Sequence, residues 1–162
     1  MSGHEKRYYT VQEANARVAR LTELFESIMQ VRGLLKTLYQ RLESAGYPVE
    51  QSELEEGDIE VPGDAPEEVI RDLGMFRGLV ETLKEHVAEV QGQGCVIKDL
   101  EEGLVDWLSL HEGREVWLCW KYGERAVGYW HELTSGFAGR QPVSELHEDE
   151  PESPPSRSKS VH

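Results

Sequence analysis

Apolar residues at Val11, Ala14, Val18, Leu21, Phe25, Ile28, Leu35, Tyr39 and Leu42 follow steps of three and four, with Arg32 the one break. A row of this period and length is a heptad seam and predicts a long helix. A second row, Leu24, Val31 and Leu38, widens the stripe beyond what one partner helix covers. Thr10 and Glu13 form a T-x-x-E capping box ahead of the seam, and Gly46 and Pro48 supply stop signals behind it. The expectation is one helix over 11–45, about 52 Å long at 1.5 Å per residue.

A matching seam at Val69, Leu73, Phe76, Val80, Leu83, Val87 and Val90 predicts a second helix over 67–91. Pro66 suits its first turn, Glu67 and Glu68 suit the positive end of its dipole, and Gly92-Gln93-Gly94 ends it. Gly74 and Gly78 stand four apart, a spacing that would admit a close helix neighbour. Between the two helices, residues 47–66 contain many acids and no Lys or Arg, and five Pro or Gly residues interrupt them. That stretch reads as a solvated acidic loop. Its Asp58, Glu60 and Asp64 alternate without the D-x-D-x-D-G order of a calcium loop. The helices are expected to fold back as an antiparallel hairpin.

After Gly94 the apolar period changes to two. Runs at 96–100, 104–110, 115–121 and 129–132, with turns around Gly103, His111–Arg114 and Gly123–Gly128, predict a meander of about four antiparallel strands over 95–133. One face is expected to carry Val105, Trp107, Trp117 and Cys119, and the other Leu104, Asp106, Leu108, Val116, Leu118 and Trp120. A Gly-rich loop over 134–142 closes the domain, and 143–162, rich in Pro, Ser and charge, is expected to be a disordered tail with His147 and His162 solvated. The fold class is therefore α+β: a single domain over 1–142 in which a long antiparallel helical hairpin packs on a small antiparallel meander.

Charge narrows the partners. Lys and Arg total 17 against 31 Asp and Glu, a formal net charge of −14, which opposes a grip on nucleic acid phosphates. The opening MSGHEKRYYT lacks the basic-then-apolar order of a secretion signal, and no apolar run approaches the roughly 20 residues that span a bilayer. The expected location is the cytoplasm, with no membrane partner. Cys95 and Cys119 lie in strand-like segments without C-x-x-C spacing, which predicts buried, reduced and unreactive thiols.

Four stretches, YYTVQEANARVARL, IKDLEEGLVDW, GREVWLCWKYGE and GYWHELTSGFAGRQP, resemble the bacterial family of uncharacterised proteins called DUF2203, over about residues 8–142. The resemblance implies a small soluble protein and carries no catalytic residue onto this chain, so whether it is an enzyme stays open and the chemistry rests on its own residues.

Asp106 between two leucines is out of place on an apolar strand and needs a partner. Together with His131 and Glu132 it makes a candidate ligand set for a divalent metal, although adjacent strand residues point to opposite faces unless a bulge separates them. Arg140, closing the Gly-spaced loop, is a candidate for holding a small anion, or else for pairing with Asp106 or Glu132. Two functions follow. One is a binding domain whose polar corner holds a divalent metal or a small anion. The other is a non-catalytic interaction module, a homodimer or a docking site for a protein partner, that uses the helical hairpin.

Overall fold

A computed structural model describes residues 6–148. These residues form two compact units: one comprises the chain up to Thr22 together with the chain from Gln93 onward, and the other is Glu23–Gly92. The class is α+β, with a helical hairpin and a five-stranded antiparallel sheet.

The expected first helix is divided. A short α1 (Val11–Asn15) precedes α2 (Val18–Ser44). The capping box is present, with Thr10 Oγ1 accepting from the Glu13 amide and Glu13 accepting from the Thr10 amide. The ladder tightens immediately afterwards, because the Arg17 amide donates to the Ala14 carbonyl at 3.0 Å, one residue short of the helical partner. Asn15 Oδ1 is drawn aside at the same place, accepting from the Val127 amide at 2.6 Å.

In the helical unit, α2 runs antiparallel to α4 (Glu67–Gln91), whose ends match the expected ones. Leu38 and Leu42 share a buried cluster with Val69, Leu73, Phe76 and Val80. The acidic loop is a correction. It contains a short helix, α3 (Gln51–Glu56), stopped by Gly57 at φ 73°. Val49, Ile59 and Ala65 from the same stretch enter the cluster at 4%, 2% and 8% exposure. The acids are solvated while these apolar side chains anchor the connection. Gly74 and Gly78 have open space where a Cβ would stand, so they serve no close helix approach. The second row, Leu24, Val31 and Leu38, is buried, and Leu34 and Met75 remain exposed on the two helices.

The sheet unit contains β1 (Val96–Asp99), β2 (Leu104–His111), β3 (Arg114–Lys121), β4 (Tyr129–Glu132) and β5 (Gln141–Pro142), hydrogen-bonded in chain order. The fifth strand, which pairs with β4, lies in the segment expected to be a loop. Glu112 at φ 53° and Gly113 at φ 82° form a two-residue turn with both residues left-handed, the type I′ hairpin that matches strand twist. That turn sets the β2–β3 register, with His111 facing Arg114 and Asp106 facing Cys119.

The register overturns the expected faces. Across a two-residue turn, facing partners have residue numbers of opposite parity, and facing partners share a side of the sheet. Trp107 therefore joins Leu118, Trp120 and Trp130, rather than Trp117 and Cys119. This side also carries Val105, Ser109 and Val116, and all seven residues are buried. The opposite side brings Asp106, Cys119, Trp117 and His131 together.

The chain ahead of α1 runs beside β2, where the Tyr9 amide donates to the Leu108 carbonyl at 2.8 Å and Ser109 Oγ donates to the Tyr9 carbonyl at 2.6 Å. The Tyr9 ring fills the space where a side chain at Gly94 (φ 88°) would stand, so that position requires glycine. Residues 143–148, the start of the expected disordered tail, are ordered against the β2–β3 turn: the His147 amide donates to His111 Nδ1 at 2.9 Å, and the Glu112 amide donates to the His147 carbonyl at 3.1 Å. The remainder of that expected tail, including His162, lies outside the described residues.

Candidate metal centre

Asp106 on β2 and His131 on β4 flank β3, so their backbones lie about 10 Å apart across two strand spacings. Their side chains meet over the intervening strand, with His131 Nε2 standing 3.0 Å from Asp106 Oδ2. Cys119, which faces Asp106 in the register, belongs to the strand they span. One ligand atom from each of the three residues lies within 4.8 Å of the others. The exposures are 1% for Asp106, 0% for Cys119 and 3% for His131.

Hydrogen-bond chemistry fixes the imidazole. His131 Nδ1 lies 2.9 Å from the Glu132 carbonyl oxygen, which can only accept, so Nδ1 carries a hydrogen. The neutral ring then presents its Nε2 lone pair to Asp106. Burial pushes the Asp106 carboxyl above its ordinary range, and His131 together with the Cys119 thiol offsets part of that shift. Asp106 Oδ1 is buried and has no hydrogen-bond partner among the described residues. Cys119 is pushed up to about 12, by burial first and by the Asp106 charge second.

The two other expected site residues face elsewhere. Glu132 lies on the opposite side of the sheet from His131, as alternation requires, and its carboxylate takes two hydrogen bonds from Arg114, at 3.2 and 2.7 Å. Arg140 pairs with neither Asp106 nor Glu132. Its Nη2 donates to Glu124 Oε2 at 2.6 Å, and its guanidinium lies 3.9 Å from the centre of the Tyr129 ring and 4.4 Å from that of Phe137. Glu124 is itself fixed, since its other oxygen accepts from the Lys121 amide at 2.9 Å. This arrangement pins the Gly-rich loop by one charge-assisted hydrogen bond and two ring contacts. Cys119 is the residue that spacing missed. The signal was in the sequence all the same, because the Glu112-Gly113 turn dictates which residue faces Asp106.

The profile of a family described as an uncharacterized conserved protein, DUF2203, matches residues 7–143. The chain belongs to the DUF2203 family. That match covers both helices of the hairpin, the whole sheet and the Asp106–His131 pair of this DUF2203 protein. No curated protein and no solved structure matches the chain. Among the described residues, no helix is long and apolar enough to cross a membrane.

Proposed function

We propose that this DUF2203 protein is a metal-binding domain in which Asp106 and His131 hold a divalent transition ion. The observation that carries the reading is the orientation of His131: Nδ1–H is committed to a backbone carbonyl and Nε2 points at a carboxylate 3.0 Å away. Metal-ligating histidines have this arrangement, because the second hydrogen bond sets the tautomer and aims the lone pair. The spacing is close to the roughly 3.3 Å edge of a tetrahedron whose ligands stand about 2.0 Å from an ion. An ion would also satisfy the buried Asp106 Oδ1, which has no hydrogen-bond partner among the described residues. The depth of burial suits an ion that is held in place, stabilising the sheet, rather than one with a coordination position open to substrate.

Elemental analysis of purified, tag-free protein tests this. The expected result is near-stoichiometric zinc or a neighbouring transition metal, lost in both His131→Ala and Asp106→Ala. A wild-type protein that is metal-free and takes up none on dialysis against zinc would overturn it.

A second reading is a homodimer or protein partner joined through the hairpin, supported by Leu34 at 55% and Met75 at 52% exposure. Light scattering of the wild type beside Leu34→Glu/Met75→Glu separates the two readings: a dimeric mass that the double variant halves would favour this one.

A further inference from the structure

We infer that Cys119 supplies the third ligand as a thiolate, so that the centre selects thiophilic divalent ions, zinc foremost, over magnesium, calcium or manganese. The inference rests on the metal reading of Asp106 and His131 and adds the class of ion. Three observations carry it. The type I′ turn places Cys119 opposite Asp106, on the strand that the Asp106 and His131 side chains cross and on the same side of the sheet. The sulfur, a carboxylate oxygen and an imidazole nitrogen all lie within 4.8 Å of one another. All three residues are buried.

Charge then decides between Cys119 as a ligand and Cys119 as a small filler beneath the pair. A divalent ion held by one carboxylate and one neutral imidazole leaves a net positive charge in a buried place, which is costly. Adding a thiolate brings the assembly to zero. The donor set also discriminates by softness, because one sulfur, one nitrogen and one carboxylate suit zinc or cobalt, whereas magnesium and calcium call for oxygen ligands throughout.

Cobalt(II) alone is the probe, added to the full-length metal-free chain and to its Cys119→Ala and Cys95→Ala variants. The expected spectrum for the wild type and Cys95→Ala contains a thiolate-to-cobalt charge-transfer band in the near ultraviolet. Cys119→Ala should lose the charge-transfer band and weaken zinc binding by more than about 100-fold, beyond the range seen when only outer-shell partners change. Cobalt bound by the wild type without a charge-transfer band would overturn the role of Cys119 and leave the Asp106–His131 reading standing. Neither cobalt nor zinc bound would overturn both. Should Cys119→Ala not fold, the wild-type and Cys95→Ala spectra decide between these outcomes by themselves.

Discussion

His131 Nε2 stands 3.0 Å from Asp106 Oδ2 across a strand to which neither residue belongs. The pair therefore reports the relative placement of three strands. In metal-free protein, His131→Ala should destabilise by about 3 kcal/mol, because it leaves a buried carboxyl without its partner. Asp106→Ala/His131→Ala should cost less than the sum of the two single changes. Urea unfolding of the four proteins completes the cycle; additive costs would mean that the two groups do not interact.

In the metal-free folded protein both thiols titrate far above neutrality. Cys95 is pushed up to about 12, chiefly by burial, and Cys119 likewise to about 12, from an ordinary value of 9.0. Between these values the folded state holds protons that the unfolded state has released, so stability should fall as pH rises from about 9 towards about 12. Below that window the thiols contribute no pH dependence. Denaturant midpoints across the range should decline in the wild type and decline less in Cys95→Ala. A thiol reagent at neutral pH should leave both cysteines of the native chain unmodified and label both in denaturant.

Arg140 acts as a clamp on the Gly-rich loop. Its guanidinium is gripped by Glu124 and by the faces of Tyr129 and Phe137. Arg140→Ala should cost about 2 kcal/mol, and Arg140→Lys should recover little of it, because an ammonium group cannot stack between two rings. Added sulfate or phosphate should raise the melting temperature of the wild type and of Arg140→Ala alike; a saturable rise that depends on Arg140 would indicate an anion site.

Ile59 tests the acidic connection. At 2% exposure within the cluster of Val69 and Phe76, its change to Ala should cost about 2–4 kcal/mol, while Glu55→Gln beside it should shift stability by less than about 0.5 kcal/mol. Equal, small effects would mean that the segment is peripheral.

Periodicity disclosed the two long helices and four of the five strands because each repeats its pattern over many residues. The limits of α4 agree with those read from Pro66 and Gly92. The break after Asn15 was not legible, since one shortened hydrogen bond at Arg17 leaves no trace in composition. Val49, Ile59 and Ala65 were hidden by their irregular spacing in an acidic stretch. The faces of the sheet were misassigned by a single step of register, and that step separated Cys119 from Asp106 in the reading. The alternation rule did anticipate that His131 and Glu132 would diverge, and they do.

The division of the chain has a consequence for synthesis. The sheet unit is assembled from both ends of the described chain, with the helical unit inserted between Thr22 and Gln93. On the ribosome the inserted hairpin can complete its cluster while β2, β3 and β4 have yet to emerge, and α1 must wait for Val127 to arrive before Asn15 finds its partner. Asp106, Cys119 and His131 leave the tunnel in that order, so the triad is complete only once β4, the fourth of the five strands, has emerged.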